Sequence, residues 1–181
     1  MSEWFNTLTA LRAQVWHLLS HRDGPPLTPV MATVGRDGWP EARMVVLRGA
    51  DPALATVEVH TDLHSAKIAS LRALPRAALQ FWLPQHDLQI RLSCSVEILS
   101  GPEVADIWAK VPDPSRQSYG ITPAPGTPIV NALDYVKSPD PTTFAVLRCA
   151  VQHIDAVHLG VAHRRAAFSR ATDWRGEWLS P

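Results

Sequence analysis

Apolar and polar positions change period several times along the chain, and each change marks an element. Trp4, Leu8, Leu11, Val15, Leu18 and Leu19 recur at three- and four-residue intervals without a proline among them, which predicts a helix over the first twenty residues. HRDGPPLTP breaks that pattern. From residue 30 the period falls to two, and PVMATV, ARMVVLRG and ATVEVHT read as strands. Asp37-Gly38 predicts a hairpin between the first two, and Gly49 with Pro52 is expected to end the second. SAKIASLRAL has a helical face of Ile68, Leu71 and Leu74, with Ser65 placed as its N-cap. AALQFWL and the longer LQIRLSCSVEIL are strands, the latter ended by Gly101-Pro102. Pro102 then opens a helix with Val104, Ile107, Trp108 and Val111 on its apolar side. Residues 112–142 are proline-rich and aperiodic, and long irregular segments of this kind are often functional. TFAVLRCAVQHIDAVHLG reads as two short strands, and HRRAAFSRA and EWLSP close the chain around a turn at Asp173 to Gly176. Strands separated by turns rather than long helices predict a mainly β, antiparallel barrel with short peripheral helices, one domain over residues 1–181.

Composition narrows the function. At 181 residues and 46% hydrophobic, the chain can bury roughly 70% of its unfolded surface and needs neither disulfide nor metal to hold a core. Seventeen basic residues balance 17 acidic ones, so the basic excess that tracks phosphate backbones is missing and no nucleic-acid partner is expected. There is no apolar run of 18 residues, and Met1-Ser-Glu-Trp-Phe does not open an export signal; a cytoplasmic protein without a membrane partner is expected. Cys94 and Cys149 lie in alternating apolar stretches and read as buried small hydrophobes. His60, His64 and His86 are spaced too loosely for metal ligation, and no metal is expected. Trp16 and Trp108 sit on apolar helical faces, whereas Trp39 and Trp82, beside turn prolines, suit an interface rim. The local chemical signal is Ser65 and Lys67 at a helix start directly after a strand ending His60-Thr61. A hydroxyl, an ammonium and free backbone N–H groups there make either a phosphate seat or a capped helix with a solvent-facing lysine.

In order and spacing, MATVGRDGWPEARMVVLRG, VHTDLHSAKIASLRALPRAALQFWLP and LQIRLSCSVEIL resemble the flavin-binding core of the pyridoxamine 5'-phosphate oxidase family, the FMN-binding split-barrel group. The likeness covers residues 30–118 and returns more weakly from Phe144 to the end. It implies an antiparallel, Greek-key-like split β-barrel that binds FMN at the interface of a homodimer. The resemblance assigns the arginine-plus-apolar strand to Arg43, Met44, Val45, Val46, Leu47 and Arg48, and a strand-end pair to His60 and Thr61. Ser65, Ala66 and Lys67 match the family's serine–arginine–lysine grip on the FMN phosphate, with the middle arginine lost at Ala66. Gln89 matches the glutamine that reaches the ring system, and Gln117 and Ser118 match a pair contributed across the dimer. His158 falls where the family has a flavin-packing tryptophan, and Arg165 matches the last arginine of a C-terminal motif whose histidine is His163.

The departures concern substrate. The family's tyrosine, arginine and serine that hold a substrate phosphate correspond to Ile107, Val111 and Ser115, and the first C-terminal arginine has become Val161 or Ala162. Two apolar replacements cannot compensate the desolvation of a dianion. The expected function is therefore a flavin-dependent oxidoreductase of an unassigned small substrate, without true pyridoxamine 5'-phosphate oxidase activity. His163 and Ser115 are its substrate-positioning candidates, and no side chain is an obvious catalytic acid or base. The alternative is a non-catalytic FMN carrier, store or sensor; a third is a split barrel that has exchanged FMN for another cofactor such as haem.

Overall fold

The computed structural model describes residues 3–21 and 24–181. The predicted N-terminal helix is two pieces, a 3₁₀ turn at Trp4–Asn6 and α1 at Leu8–Ser20. Thr7 divides them: it is extended, and its side chain accepts a hydrogen bond from the Ala10 N–H at 3.2 Å, a helix N-cap. The helical stripe Leu11, Val15 and Leu19 is fully buried against the barrel.

Strands β1 (Val30–Val34) and β2 (Pro40–Met44) form the predicted hairpin, with Gly38 at φ +85° where a side chain would be strained. The expected strand ARMVVLRG is two strands, because the chain turns a corner at Val45-Val46 before β3 (Leu47–Asp51). Backbone N–H groups of Val45 and Leu47 are satisfied there by Pro29 O and Leu27 O, each at 2.9 Å. Gly49 does not end the strand; β3 continues to Asp51 and pairs with β4 (Thr56–Asp62). Helix α2 (Ala66–Ala73) follows, then β5 (Arg76–Leu83) and β6 (Leu88–Ser100). Past a 3₁₀ turn at Gly101–Val104 come α3 (Ala105–Lys110) and the single turn α4 (Asp113–Arg116). Residues 112–142 are otherwise irregular apart from the two-residue pair β7 (Ile121–Thr122) and β8 (Val136–Lys137). Instead of two short strands, residues 144–158 make one continuous strand, β9 (Phe144–His158), followed by β10 (Arg164–Ser169) and β11 (Gly176–Leu179).

The resulting nine-stranded sheet runs β11-β10-β9-β6-β5-β1-β2, with the β3–β4 hairpin joined to β9. All its pairings are antiparallel, and it does not close on itself, so it is a split barrel. β9 bonds β6 along one edge; along the other it bonds β4 from Phe144 to Ala150 and β10 from His153 to His158. Gln152 is an extra residue, since His153 pairs with Ser93 while Val151 pairs with Cys94. This bulge flips the phase of burial, from Cys149 and Val151 before it to Ile154, Ala156 and His158 after it. The phase change made one strand read as two.

The main core fills the barrel, and Cys94 and Cys149 are buried in it as free thiols. A second cluster, Leu99, Val104, Val111, Tyr119, Phe144 and Val146, lies under α3 with Ile107 and Trp108 packed on it. Trp16 is buried, while Trp39 and Trp82 stand 73% and 52% exposed. No helix among the described residues is long and apolar enough to cross a membrane. Leu147 is fully buried where β9 meets both neighbours, so Leu147→Ala is expected to lower unfolding free energy by ~2–5 kcal/mol. Val130→Ala, at a side chain 94% exposed, is expected to stay within about 0.5 kcal/mol. Urea unfolding midpoints of the two variants check the contrast.

Candidate functional site

Two cations meet where β2 faces α2. Arg43 on β2 donates from Nη1 to Thr33 Oγ1 at 2.7 Å and from Nη2 to Glu41 Oε2 at 2.8 Å. Ser70 on α2 donates to the same Glu41 oxygen at 3.1 Å, tying helix to strand. Lys67, one turn earlier, donates from Nζ to Thr61 Oγ1 at 2.9 Å. Ser65 occupies the N-cap position but makes no side-chain cap bond; its hydroxyl lies 3.1 Å from Thr61 Oγ1 instead. This corrects the capping expectation, and it frees the first N–H groups of α2. Lys67 has no carboxylate partner among the described residues. Burial lowers its pKa, the nearby Arg43 charge lowers it further, and Asp62 opposes them in part. A half-buried ammonium crowded by a guanidinium, with two hydroxyls beside it, is a place where an anion relieves repulsion.

Asp62 secures the seat from behind. Its buried carboxylate accepts the His64 N–H at 2.7 Å and the Gly120 N–H at 2.9 Å, fastening the irregular segment to the turn before α2. Gly120 has φ +97°, and a Cβ there would fall 2.1 Å from Ser138 O, so the segment requires glycine at this point. Gln117 and Ser118 are exposed on this strap, and Ser115 is half-buried on α4.

Arg48 is the extra residue of a second bulge, since Leu47 pairs with Val59 and Gly49 with Glu58. The bulge turns its side chain into a pocket of about 270 Å³ shared with Glu58, His60, Ile107, Lys110 and Val111. His60 stands edge-on to Phe144, ring centroids 5.0 Å apart. Burial, and then the Arg48 charge, push its pKa down to about 4, so the ring is neutral near pH 7.

The remaining predicted residues lie elsewhere. Within the Arg43–Arg48 segment, Met44 is exposed, Val45 and Leu47 are buried and Val46 is half-buried. Ala66 is exposed at the first position of α2. Gln89, Val157 and Arg165 are consecutive partners across β6, β9 and β10, with Trp82 opposite Gln89 on the other side. Arg165 is clamped by Asp155, Nε at 3.1 Å and Nη2 at 2.8 Å, and Arg91 reaches the same carboxylate at 2.6 Å. This row lies at the end of β9 away from the seat, which neighbours Ala145 and Val146 through Thr61 and His60. His158 is buried, stacked on Phe5 at 4.2 Å, with Nδ1 unpaired. His163 is exposed.

Sequence reading missed Glu41, Asp62, Glu58, Tyr119 and Lys110. Glu41 shares a strand face with Arg43 at period two, and Asp62 two residues before His64 has the spacing of an Asx turn; both signals were present. Gly49 inside an apolar strand pattern is likewise a bulge signal. Nothing local points to Glu58, Tyr119 or Lys110, which the fold brings to Arg48 from other elements.

The sequence profile described as "Pyridoxamine 5'-phosphate oxidase, FMN-binding domain" matches residues 1–100. The chain belongs to this family. It is 38% identical over 91 residues to the pyridoxine/pyridoxamine 5'-phosphate oxidase of Microcystis aeruginosa, an alignment covering 50% of this chain and 42% of that relative. The chain thus matches less than half the length of that oxidase. Among solved structures, a pyridoxamine 5'-phosphate oxidase-related, FMN-binding protein from Nostoc punctiforme superposes with TM-score 0.72 at 21% identity, covering 100% of this chain and 99% of that one. PhzG from Burkholderia lata, solved with tetrahydrophenazine-1-carboxylic acid, gives 0.74 at 20% identity, covering 100% and 97%. At such identities these two establish the fold alone.

FMN is the family's cofactor, and the seat fits its phosphate: Lys67 is an underneutralised cation beside Arg43, with the Thr61 and Ser65 hydroxyls adjacent. Lys67→Ala removes a charge-assisted contact worth ~1.5–3 kcal/mol, so FMN affinity is expected to fall about 10- to 100-fold in a flavin fluorescence titration. A second prediction concerns pH. The folded state keeps His60 neutral down to about 4 whereas the unfolded ring protonates near 6.5, so unfolding takes up a proton between these values. Stability contributed by His60 is therefore expected to decline as pH falls from about 6.5 to about 4. Denaturation midpoints across that window should flatten in part in His60→Gln.

Proposed function

We propose that this chain is an FMN-dependent oxidoreductase of an unassigned small substrate, working as a homodimer of one split-barrel domain per subunit with two equivalent flavin sites. The observation that carries the reading is the Arg43–Lys67 pair, two cations with hydroxyls at a helix start and only Glu41 to neutralise Arg43. Bound there, FMN supplies hydride chemistry. The chain's own residues anchor the phosphate through Lys67 and Arg43, and the neutral His60 adds no competing charge beside the site.

The dimer is supported by the separation of the two residue sets. Thr61 pairs beside Ala145 and Gln89 beside Val157, at opposite ends of β9. A second copy that presents its Gln89–Arg165 row, with exposed Trp82 at its margin, to the first copy's seat would let both sets serve one flavin. Asp155 would position Arg165 for that role by holding Nε and Nη2 and leaving Nη1 to a ligand.

A phosphorylated vitamin does not suit the substrate side. Ile107 and Val111 supply no hydrogen bond there, Arg116 is committed to Trp108 O, Ala109 O and Asp113, and Arg164 lies over the Phe5 ring. FMN-loaded protein is expected to be dimeric by light scattering with about one flavin per subunit, and to form negligible pyridoxal 5'-phosphate in an aerobic assay. Turnover near 1 s⁻¹, the ordinary enzyme range, would refute the substrate argument. Anaerobic mixing with nicotinamide cofactors then separates the oxidoreductase from a passive flavin binder: the former bleaches the flavin at a catalytically useful rate, the latter does not.

A further inference from the structure

The bulge at Arg48 has a chemical consequence of its own. An arginine on a regular strand would alternate with its neighbours; the extra residue in β3 instead aims this one into the pocket under α3. Among the described residues no carboxylate pairs with Arg48, although five other arginines make ion pairs. Its charge acts on the Tyr119 hydroxyl and on His60, two groups that are uncharged at neutral pH. Glu58, the acid on the pocket wall, pairs with Arg148 at 3.6 Å, an arginine that it shares with Glu97. Lys110 is exposed at the rim. The opposite wall is Ile107 and Val111, backed by the aromatic cluster of Phe144, Trp108 and Tyr119.

We propose that this pocket takes a ring-bearing monocarboxylate, with the Arg48 guanidinium gripping the carboxylate fork and Ile107 and Val111 covering the ring. The assignment deepens the flavin reading above and rests on it for the pocket's role as substrate subsite. Charge count decides the class of anion. The interior offers one unpaired cation, with Glu58 beside it, so a singly charged group is neutralised and a phosphate dianion is not. Geometry agrees, because a planar fork meets a planar fork in two parallel hydrogen bonds. Size agrees too: about 270 Å³ lies just below the ~300–1,000 Å³ range of ordinary ligand pockets, which suits one or two fused rings rather than a nucleotide. The Arg43–Lys67 seat, with two cations, is the contrasting environment, built for the dianion.

Calorimetric titration with three matched probes tests the assignment, on FMN-loaded and FMN-free protein alike: 1-naphthoate, the neutral 1-naphthamide and 1-naphthyl phosphate. The naphthoate is expected to bind saturably, at least about tenfold tighter than the amide and no weaker than the phosphate. Arg48→Gln is expected to remove that preference while changing amide binding little, and Arg36→Gln, at an exposed charge in the β1–β2 turn away from the pocket, to leave it within about threefold. Amide binding equal to naphthoate, tighter binding of the phosphate, or no heat from any probe would overturn the proposal. The wild-type probe series decides even if Arg48→Gln folds poorly. Flavin stoichiometry is read on the same samples. Protein that takes up FMN but shows no carboxylate preference sinks this inference alone. Protein that takes up no FMN sinks the flavin reading, and the probe series on FMN-free protein still decides the ligand class.

Discussion

β9 is hydrogen-bonded along both edges for nearly its whole length, and the placement of every site residue follows from that. A strand in this position has no edge to adjust, so the elements docked on it are fixed in register to within one residue. Its first half carries β4, and with it His60, Thr61 and the turn that launches α2. Its second half carries β10, and with it Arg165. The four consecutive buried residues Phe144–Leu147 record the demand this makes, since both faces are covered there, by the barrel core on one side and the aromatic cluster under α3 on the other. Phe144 belongs to that second cluster and also meets the His60 ring, so the packing that stabilises the sheet is the packing that shapes the pocket.

Regular antiparallel pairing alone would give a featureless sheet, and the two bulges are where the chain departs from it for chemical effect. At Gln152 the extra residue lets β9 bend and change partners along one edge without losing its bonds to β6. At Arg48 it turns a cation out of the strand's alternation. Both sites were partly legible in the sequence. The stretch around Gln152 reads in sequence as two short strands, because a burial pattern that changes phase looks the same as one that ends. Gly49 was read as a terminator for the same reason, although its neighbours continue to pair. Elements with unbroken periodicity, β5, β6, α2 and the part of the N-terminal helix from Leu8 onward, are legible in the sequence. What no local pattern carries is convergence between distant segments: Glu41 with Ser70, Asp62 with Gly120, and Arg48 with Tyr119.

The profile match explains why legibility divides where it does. Residues 1–100 contain the seat, and there the resemblance placed Arg43, Thr61, Ser65 and Lys67 in one neighbourhood that the geometry independently makes cationic. Past residue 118 the resemblance is weaker, and the residues it named there (His158, His163 and Arg165) are dispersed over the buried N-terminal corner, the loop before β10 and β10 itself.

Charge ties these regions to different tasks. Positive groups that lie close together raise one another's cost of staying charged, and Lys67 shows that cost in its lowered pKa. A fold accepts such repulsion only where a bound anion or a built-in acid offsets it. In the seat the built-in acid is Glu41, which pairs with Arg43, while Lys67 bonds a hydroxyl and feels Asp62 only through space, so the deficit of negative charge is local to Lys67. Around Arg48 the fold takes the other course: it keeps the neighbouring imidazole neutral and directs Glu58 toward Arg148. The guanidinium is thereby left as the dominant interior charge of a small apolar-walled pocket. Arg43 and Arg48 thus stand in different charge environments although few residues separate them, and the corner at Val45-Val46 lies between the strand that carries one and the strand that carries the other.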